Sequence, residues 1–482
     1  MASANIVERV SLCVLGAGIA GLNALAAARE YLKPAERAIL IDRRDRAGGM
    51  WVSTYPYVRL HQPHRLFTAG DIAWKPRRNP SHLASRTEVL DHFDHCLAEL
   101  KRNMDLTEYY GWEYESHTEH ADVVTVTCRS AEGRSLTIEA SRLINAFGHQ
   151  IAINDPLPLS SDRVRSVSPD KWDMSTEHTD APVWIVGGGK TAMDTAHALV
   201  TDFPGREVNL IAGKGTAFAS RDAFFPRGLG RLFRGMSFNA FASEAAMAYD
   251  GTDDLSYQRF WTDRFTVQVT PTTERFLIGV LSEVEAATIR RGANDVLMDY
   301  LDDVLDRGND VVLKFRSGAE RSVPPGSVVV NCTGYLRRRE LPYQPYLSHA
   351  GRVLRITNRS GVLPFSAWSG YLLTHLFLLD RLRELPLYEL DSVTLTMRDR
   401  NAASAALAAL TGYNIGVILK ALPPKALLGW GGDPDRFYPR LRSTIWFVKL
   451  ARGARQRASH NRRTLDTLKQ RFPDVRCGQL EY

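Results

Sequence analysis

The sequence predicts an α/β fold: two Rossmann-like dinucleotide-binding domains, one inserted into the other, followed by a mostly helical C-terminal extension. Three observations carry that expectation. The apolar run 10–15 enters the glycine turn Gly16-Ala17-Gly18-Ile19-Ala20-Gly21 and then a helical pattern. The same arrangement recurs where 183–186 enters Gly187-Gly188-Gly189-Lys190-Thr191-Ala192. Strand patterns resume at 311–315 and 327–331, whereas from about 394 to 482 the pattern is mostly helical and basic. The boundaries expected from this organisation are 1–180 with 325–393 for the first domain, 181–324 for the inserted one, and 394–482 for the extension.

Each element follows from local pattern. After the first glycine turn, Leu22, Leu25 and Ala26 share a helix face, and 38–41 reads as a buried strand ending at Asp42. A helix is predicted at 87–100, a hairpin at 123–128 with 135–139, and a further strand at 143–146. In the second unit Ala192, Ala196, Leu199 and Val200 share a helix face, and 208–211 is the next strand. The stretch 213–310 is rich in Arg and Phe, with a helix predicted near 281–305.

Composition narrows the function classes. With 44% hydrophobic and 24% charged residues, the chain is neither disordered nor collagen-like. A net charge of +7 over 482 residues is mild, and dinucleotide or phosphate ligands account for it without nucleic acid. Cys13, Cys96, Cys128, Cys332 and Cys477 are scattered and form no Cys-x-x-Cys pair, so a reducing, cytoplasmic setting is expected and a dithiol redox centre is not. No signal peptide is read at the N-terminus. No run is read as a transmembrane segment, the best at 371–379 being followed by Asp380 and Arg381.

The glycine turns carry the chemistry. Gly16, Gly18 and Gly21 let the backbone turn tightly and approach a pyrophosphate at a helix N-terminus, and Asp42 stands where an acid accepts hydrogen bonds from a ribose. In the second unit Gly187, Gly189, Lys190 and Thr191 are the corresponding candidates, with Ala192 in the third glycine's place. Its strand ends at Ala212-Gly213-Lys214 without an acid. A cation in place of a carboxylate suits a 2′-phosphate, which favours NADP(H), with Lys214 and Arg221 as candidate binders or, equally, as solvated surface cations.

With these motifs in hand, the chain from about Cys13 to about Thr374 resembles the FAD- and NADPH-dependent monooxygenases, a family of flavin-containing, N-hydroxylating and Baeyer–Villiger enzymes. Gly48-Gly49-Met50-Trp51 resembles the family's G-G-x-W segment, and Tyr55-Pro56-Tyr57-Val58-Arg59 its Y-P-G-x-R stretch. Ala146-Phe147-Gly148 and Thr333-Gly334-Tyr335 resemble its two hinge segments. The resemblance implies FAD held by the first glycine turn, Asp42, Arg43, Gly49, Trp51, Gly148, Thr333 and Gly334, and NADPH held by the inserted domain. It departs at the fingerprint F-x-G-x-x-x-H, where Asp162, Val164 and Ser168 occupy the fixed places before Trp172.

The implied activity is a single-component monooxygenase in which NADPH reduces FAD, O2 is activated as a flavin C4a-(hydro)peroxide, and a small organic substrate (an amine nitrogen, a sulfur or a ketone) is oxygenated. A flavin-dependent halogenase or oxidase, or a non-catalytic nucleotide-sensing flavoprotein, is the alternative. His61, ten residues after Trp51, lies at or beside the family's active-site Asn or Asp and is the catalytic candidate. An imidazole there would exchange protons near neutral pH, or else serve as a structural hydrogen-bonding group. The segments 218–265 and 365–379 are candidates for the pocket wall. His92, His95 and Cys96 have ligand-like spacing but no fourth ligand, so no metal site is expected. The segment 446–463 mixes Trp446, Phe447, Val448 and Leu450 with Lys449, Arg452, Arg455 and Arg457, a pattern for a weak membrane or partner contact or for a helix docking by its apolar side.

Overall fold

Strands whose side chains are apolar on both faces must lie between layers, and 12–15 and 38–42 are buried on both. A computed structural model describes residues 6–151, 153–176, 180–334 and 341–480. In it Ile6–Leu15 is a central strand of a seven-stranded sheet, parallel to Ala38–Asp42 on one side and to Ser135–Gly148 on the other. The hairpin forms as expected, Val124–Ser130 pairing antiparallel with Ser135–Gly148. The separate strand expected at 143–146 is instead the second half of that 14-residue strand. It exchanges its outer partner, pairing through Ala140 with Val124–Ser130 and from Leu143 with Val353–Thr357.

The second sheet is wholly parallel, in the order Asp295–Leu297, Val208–Ile211, Val183–Val186, Val328–Asn331, Arg165–Val167. It thus draws strands from both sides of the 181–324 span. The helix expected across 281–305 is shorter. Ser282 and Glu285 form a capping box that starts it, and it ends at Gly292, where a Cβ would strike Val200. Beyond that point Asp295–Leu297 joins the sheet and Leu301–Arg307 pairs with Asp310–Phe315, so tertiary pairing overrides the helical period.

Residues 216–281 contribute a small three-stranded sheet and several helices whose aromatic side chains need a partner surface. The C-terminal extension supplies it. Phe224, Phe241, Trp261 and Phe276 share one core with Ala402, Ala406, Leu410 and Leu465. The extension is helical, with Arg400–Ala421, Arg440–Ala451 and Ala454–Arg471 as its main helices. The Arg400–Ala421 helix corrects the sequence expectation on membrane-length runs, because by length and composition it could cross a bilayer. Its alanines permit close packing, and half of its apolar window is buried, with Ala454–Arg471 and Phe238–Met247 packed against the helix. The stretch 371–379, which reads as the most apolar, lies under the first sheet instead, with Leu372, Leu373 and Leu376 buried.

The first glycine-turn helix, Ile19–Ala28, is buried on nearly every side and crosses the helical segment 366–378. That crossing is close because Gly370 rests on the Ala20 carbonyl, where any Cβ would overlap the oxygen. Gly370→Ala should therefore destabilise the protein by about 1–3 kcal/mol, the usual cost of overpacking. Urea unfolding measures it. An unchanged midpoint contradicts the close-crossing account.

Candidate functional site

The first glycine turn is built by backbone proximity. Gly16 has φ +101° and a Cβ there would lie 2.8 Å from the Ala146 carbonyl oxygen, while a Cβ on Gly21 would overlap the Gly16 carbonyl. Gly18 opens the Ile19–Ala28 helix in an extended conformation, and no side chain caps that N-terminus. Gly49 faces it closely enough that a Cβ would sit 2.9 Å from the Gly18 Cα. The result is a side-chain-free cradle against a helix N-terminus, which suits a pyrophosphate.

Asp42 closes the adjoining strand. Its carboxylate is buried and accepts the Ala17 N–H at 2.7 Å and the Arg44 N–H at 2.9 Å, so its orientation is fixed. Trp51 is buried against Phe67, its carbonyl accepting from Arg86 Nε at 2.8 Å. Arg43 lies 3.7 Å from Glu113 with half its side chain exposed, and Gly148 (φ +64°) approaches Ser366. Thr333 donates to Asn331 Oδ1 at 2.7 Å, next to Gly334. Tyr335, the last residue of that hinge segment, lies outside the described residues. The residues present therefore fit a flavin dinucleotide.

The second turn repeats the construction. A Cβ on Gly187 would lie 2.6 Å from the Cys332 carbonyl oxygen, and one on Gly188 2.7 Å from that of Ala212, while Gly189 faces open space. The Lys190–Asp202 helix likewise has no side-chain cap, Thr191 follows in its first turn, and Lys190 pairs with Asp194 one turn on. Lys214 is exposed and paired with Glu274 at 2.6 Å. Around it the structure gathers cations that no local motif announces. Arg275 donates to the Tyr300 hydroxyl at 2.9 Å, Arg316 lies over the Tyr300 ring at 5.1 Å, and Tyr300 packs on Gly213. Arg400, the first residue of the long C-terminal helix, has its pKa lowered by burial and then by neighbouring Arg275. These residues were missed because they come from separate segments of the sequence.

Arg221 departs from its expected role. It is 4% exposed, and its guanidinium is already engaged. Nε donates to the His61 carbonyl at 2.7 Å, Nη1 to Glu285 at 2.6 Å and Nη2 to the Val280 carbonyl at 3.3 Å. Burial opposes ionisation of Glu285, but Arg221 and Lys190 outweigh it and hold the carboxyl at about 2. Arg221 is a buried strut rather than a solvent-facing phosphate binder, because it follows the Thr216–Ser220 strand, which pairs with Arg275–Leu281 and brings its guanidinium to the Val280 carbonyl and Glu285.

That strut places His61 between the two turns. Its Nε2 is 4.0 Å from Asp194 Oδ2, an oxygen that also accepts the Tyr55 hydroxyl at 2.9 Å, and the neighbouring Tyr57 hydroxyl lies 2.9 Å from Thr195 Oγ1. About a third of the side chain (32%) is open to the cleft. The imidazole does not titrate near neutrality as the sequence suggested. Desolvation first, then Lys190 and Arg221, push it down to about 3 against the pull of Asp194 and Glu285. At neutral pH it offers one N–H donor and one acceptor. His61, both glycine turns, Asp42, Trp51, Lys214 and Thr333 all line one cleft of about 3390 Å³.

No protein-family model matches the chain. It is 25% identical over 316 residues to an uncharacterized protein of Mycobacterium bovis, covering 62% of this chain and 55% of that one. It is also 25% identical over 211 residues to the Mycobacterium tuberculosis protein named "Putative FAD-containing monooxygenase MymA", covering 41% of this chain and 40% of that one. The chain thus spans about half the length of these relatives. Among solved structures, cyclohexanone monooxygenase superposes with a TM-score of 0.54 at 15% identity, covering 86% of this chain and 97% of that one. Reduced ornithine hydroxylase from Pseudomonas aeruginosa gives 0.50 at 13% identity, covering 77% and 98%. With its two glycine turns opening on one cleft, the chain shares the fold of cyclohexanone monooxygenase and of this ornithine hydroxylase.

Proposed function

We propose that this protein is a single-component, FAD-dependent monooxygenase that consumes NADPH and oxygenates a small organic substrate. One observation carries the reading: two uncapped, glycine-cradled helix N-termini, at Gly18 and Gly189, open on the same cleft, which Trp51 and His61 also line. Bound FAD supplies hydride acceptance and oxygen activation; the residues supply position, charge and exclusion of water. In this reading the unit of the seven-stranded sheet binds FAD and 394–482 complete the walls, while NADPH is bound by the unit of the wholly parallel sheet, which takes in the strands Arg165–Val167 and Val328–Asn331 beyond the expected 181–324. Lys214, Arg275, Arg316 and Arg400 surround the place of a 2′-phosphate, where no carboxylate ends the strand at Ile211. Phe365, Trp368 and Trp430 form an aromatic wall, with ring centroids 4.9 and 5.2 Å apart in sequence. Buried, unpaired Cys13, Cys96, Cys128, Cys332 and Cys477 support a reducing, cytoplasmic setting.

Neutral His61 acts here as a hydrogen-bonding group that orients a reactant or an ordered water, not as an imidazolium acid. Lys190, Asp194 and Tyr55 hold its surroundings, so its geometry is coupled to occupancy of the second turn.

Three outcomes follow from this reading. Gly18→Trp pushes an indole into the gap facing Gly49 and should yield colourless protein, whereas a fully flavinylated yellow variant contradicts the first-turn assignment. Lys214→Ala and Arg275→Ala should each raise the KM for NADPH about ten- to hundredfold, the scale of a lost charge-assisted hydrogen bond, and leave NADH unchanged. Equal use of both coenzymes by the unmodified protein contradicts the phosphate-site argument. His61→Ala should keep FAD and reduction by NADPH but raise the peroxide released per NADPH consumed. Because the folded imidazole stays neutral above about pH 5, the variant's pH profile between 5 and 9 should keep the parent's shape; loss of a limb near pH 6.5 contradicts a neutral His61.

A further inference from the structure

The Arg440–Ala451 helix has no buried residue, and its outward face is apolar. Leu441, Ile445 and Val448 recur at helical spacing on that face, with Leu441 75% exposed. Against it stands the 228–234 turn, whose Leu229 and Phe233 are 75% and 81% exposed. Arg442 staples the two together by donating to the carbonyls of Arg231, Leu232, Arg234 and Gly235. Two segments far apart in sequence are thereby fixed as one protruding apolar surface.

The two segments are basic. The stretch 440–463 carries eight Arg and Lys and no Asp or Glu, and 226–237 carries three Arg and no acid. Arg227, Arg234, Arg440, Lys449 and Arg452 form no ion pair among the described residues and point their charge to solvent. A second copy of this chain is a poor occupant, since a two-fold contact sets each patch against itself and opposes like charges. An RNA or DNA strand would leave the apolar side chains unused. An anionic bilayer satisfies both halves of the pattern, with cations at headgroup level and Leu, Ile, Val and Phe in the acyl boundary.

One edge of this surface borders the cleft. Phe447 of the Arg440–Ala451 helix, 60% exposed, lines it together with Arg440 and Thr444, and the cleft continues inward along Leu407, Ala408 and Ile415 of the Arg400–Ala421 helix. We propose that the Arg440–Ala451 helix and the 228–234 turn dock this protein on an anionic lipid surface, with the cleft mouth facing the bilayer so that an apolar compound dissolved there enters along the Arg400–Ala421 helix. The docking is independent of the monooxygenase reading and is tested without turnover.

The purified full-length protein is floated with phosphatidylcholine vesicles, and with vesicles in which part of the phosphatidylcholine is replaced by phosphatidylglycerol. Binding is expected to the phosphatidylglycerol vesicles alone and to fall with added salt. Lys449→Glu and Arg234→Glu should each weaken it about fivefold or more per charge. Phe233→Ser and Ile445→Ser should each weaken it about tenfold, the scale of one buried apolar side chain, with unchanged melting temperature because both are exposed. Equal binding to neutral vesicles, no binding, or salt-sensitive binding that survives Phe233→Ser and Ile445→Ser overturns the proposal. So does a concentration-dependent dimer in sedimentation that Ile445→Ser dissolves.

Discussion

The buried guanidinium of Arg221 holds the site together. It belongs to the 181–324 span, yet its Nε is bonded to the backbone of His61, in the loop that follows the first glycine-turn unit, and its Nη1 to Glu285 at the start of a later helix. Removing one member of such a nearly enclosed ion pair leaves a charge without its partner and commonly costs about 3–5 kcal/mol. The figure applies here because the two side chains are only 5% and 21% exposed. A second tie runs through Tyr55 and Asp194, in the helix that opens the second turn. The two glycine-turn units therefore meet at a fixed spacing, with His61 at the seam.

That seam also sets the electrostatics. Lys190 and Arg221 lie close enough to His61 to disfavour a third positive charge, and burial adds to the effect. The same two cations keep Glu285 ionised. A neutral histidine beside a fixed ion pair is a steadier hydrogen-bonding partner than one that changes charge across the working pH range. The C-terminal extension completes the arrangement from outside. It covers the aromatic face of 216–281 in a common core and sends Arg400 toward Tyr300 at the second turn. The extension thus contributes to the cleft wall beside the second turn.

What the sequence disclosed was whatever chemistry is local. Gly16, Gly18, Gly21 and Asp42 lie within one strand–turn–helix–strand unit, so spacing alone locates them, and the structure adds only the close approaches of Gly16 to Ala146 and Gly49 to Gly18. Arg275, Tyr300 and Arg400 were invisible because three separate segments bring them together. Arg221 was misplaced for the converse reason: nothing in its neighbours reveals that its strand end turns into the protein. The helix predicted across 281–305 failed at Gly292, where close packing on Val200 and an available sheet edge outweigh a helical pattern. The long alanine-rich helix went unread as a membrane-length run because Ser404, Thr411 and Asn414 interrupt its apolar residues, although the window as a whole is apolar.

The central claim is that the two glycine turns serve one reaction across a shared cleft. Anaerobic mixing of the purified, flavin-loaded protein with NADPH, followed in the flavin's visible absorption band, tests it most directly. Bleaching on mixing, faster with NADPH than with NADH and reversed when air is admitted, is the predicted result. Protein that carries flavin but stays coloured with either coenzyme would show that the two sites do not communicate and contradict the account.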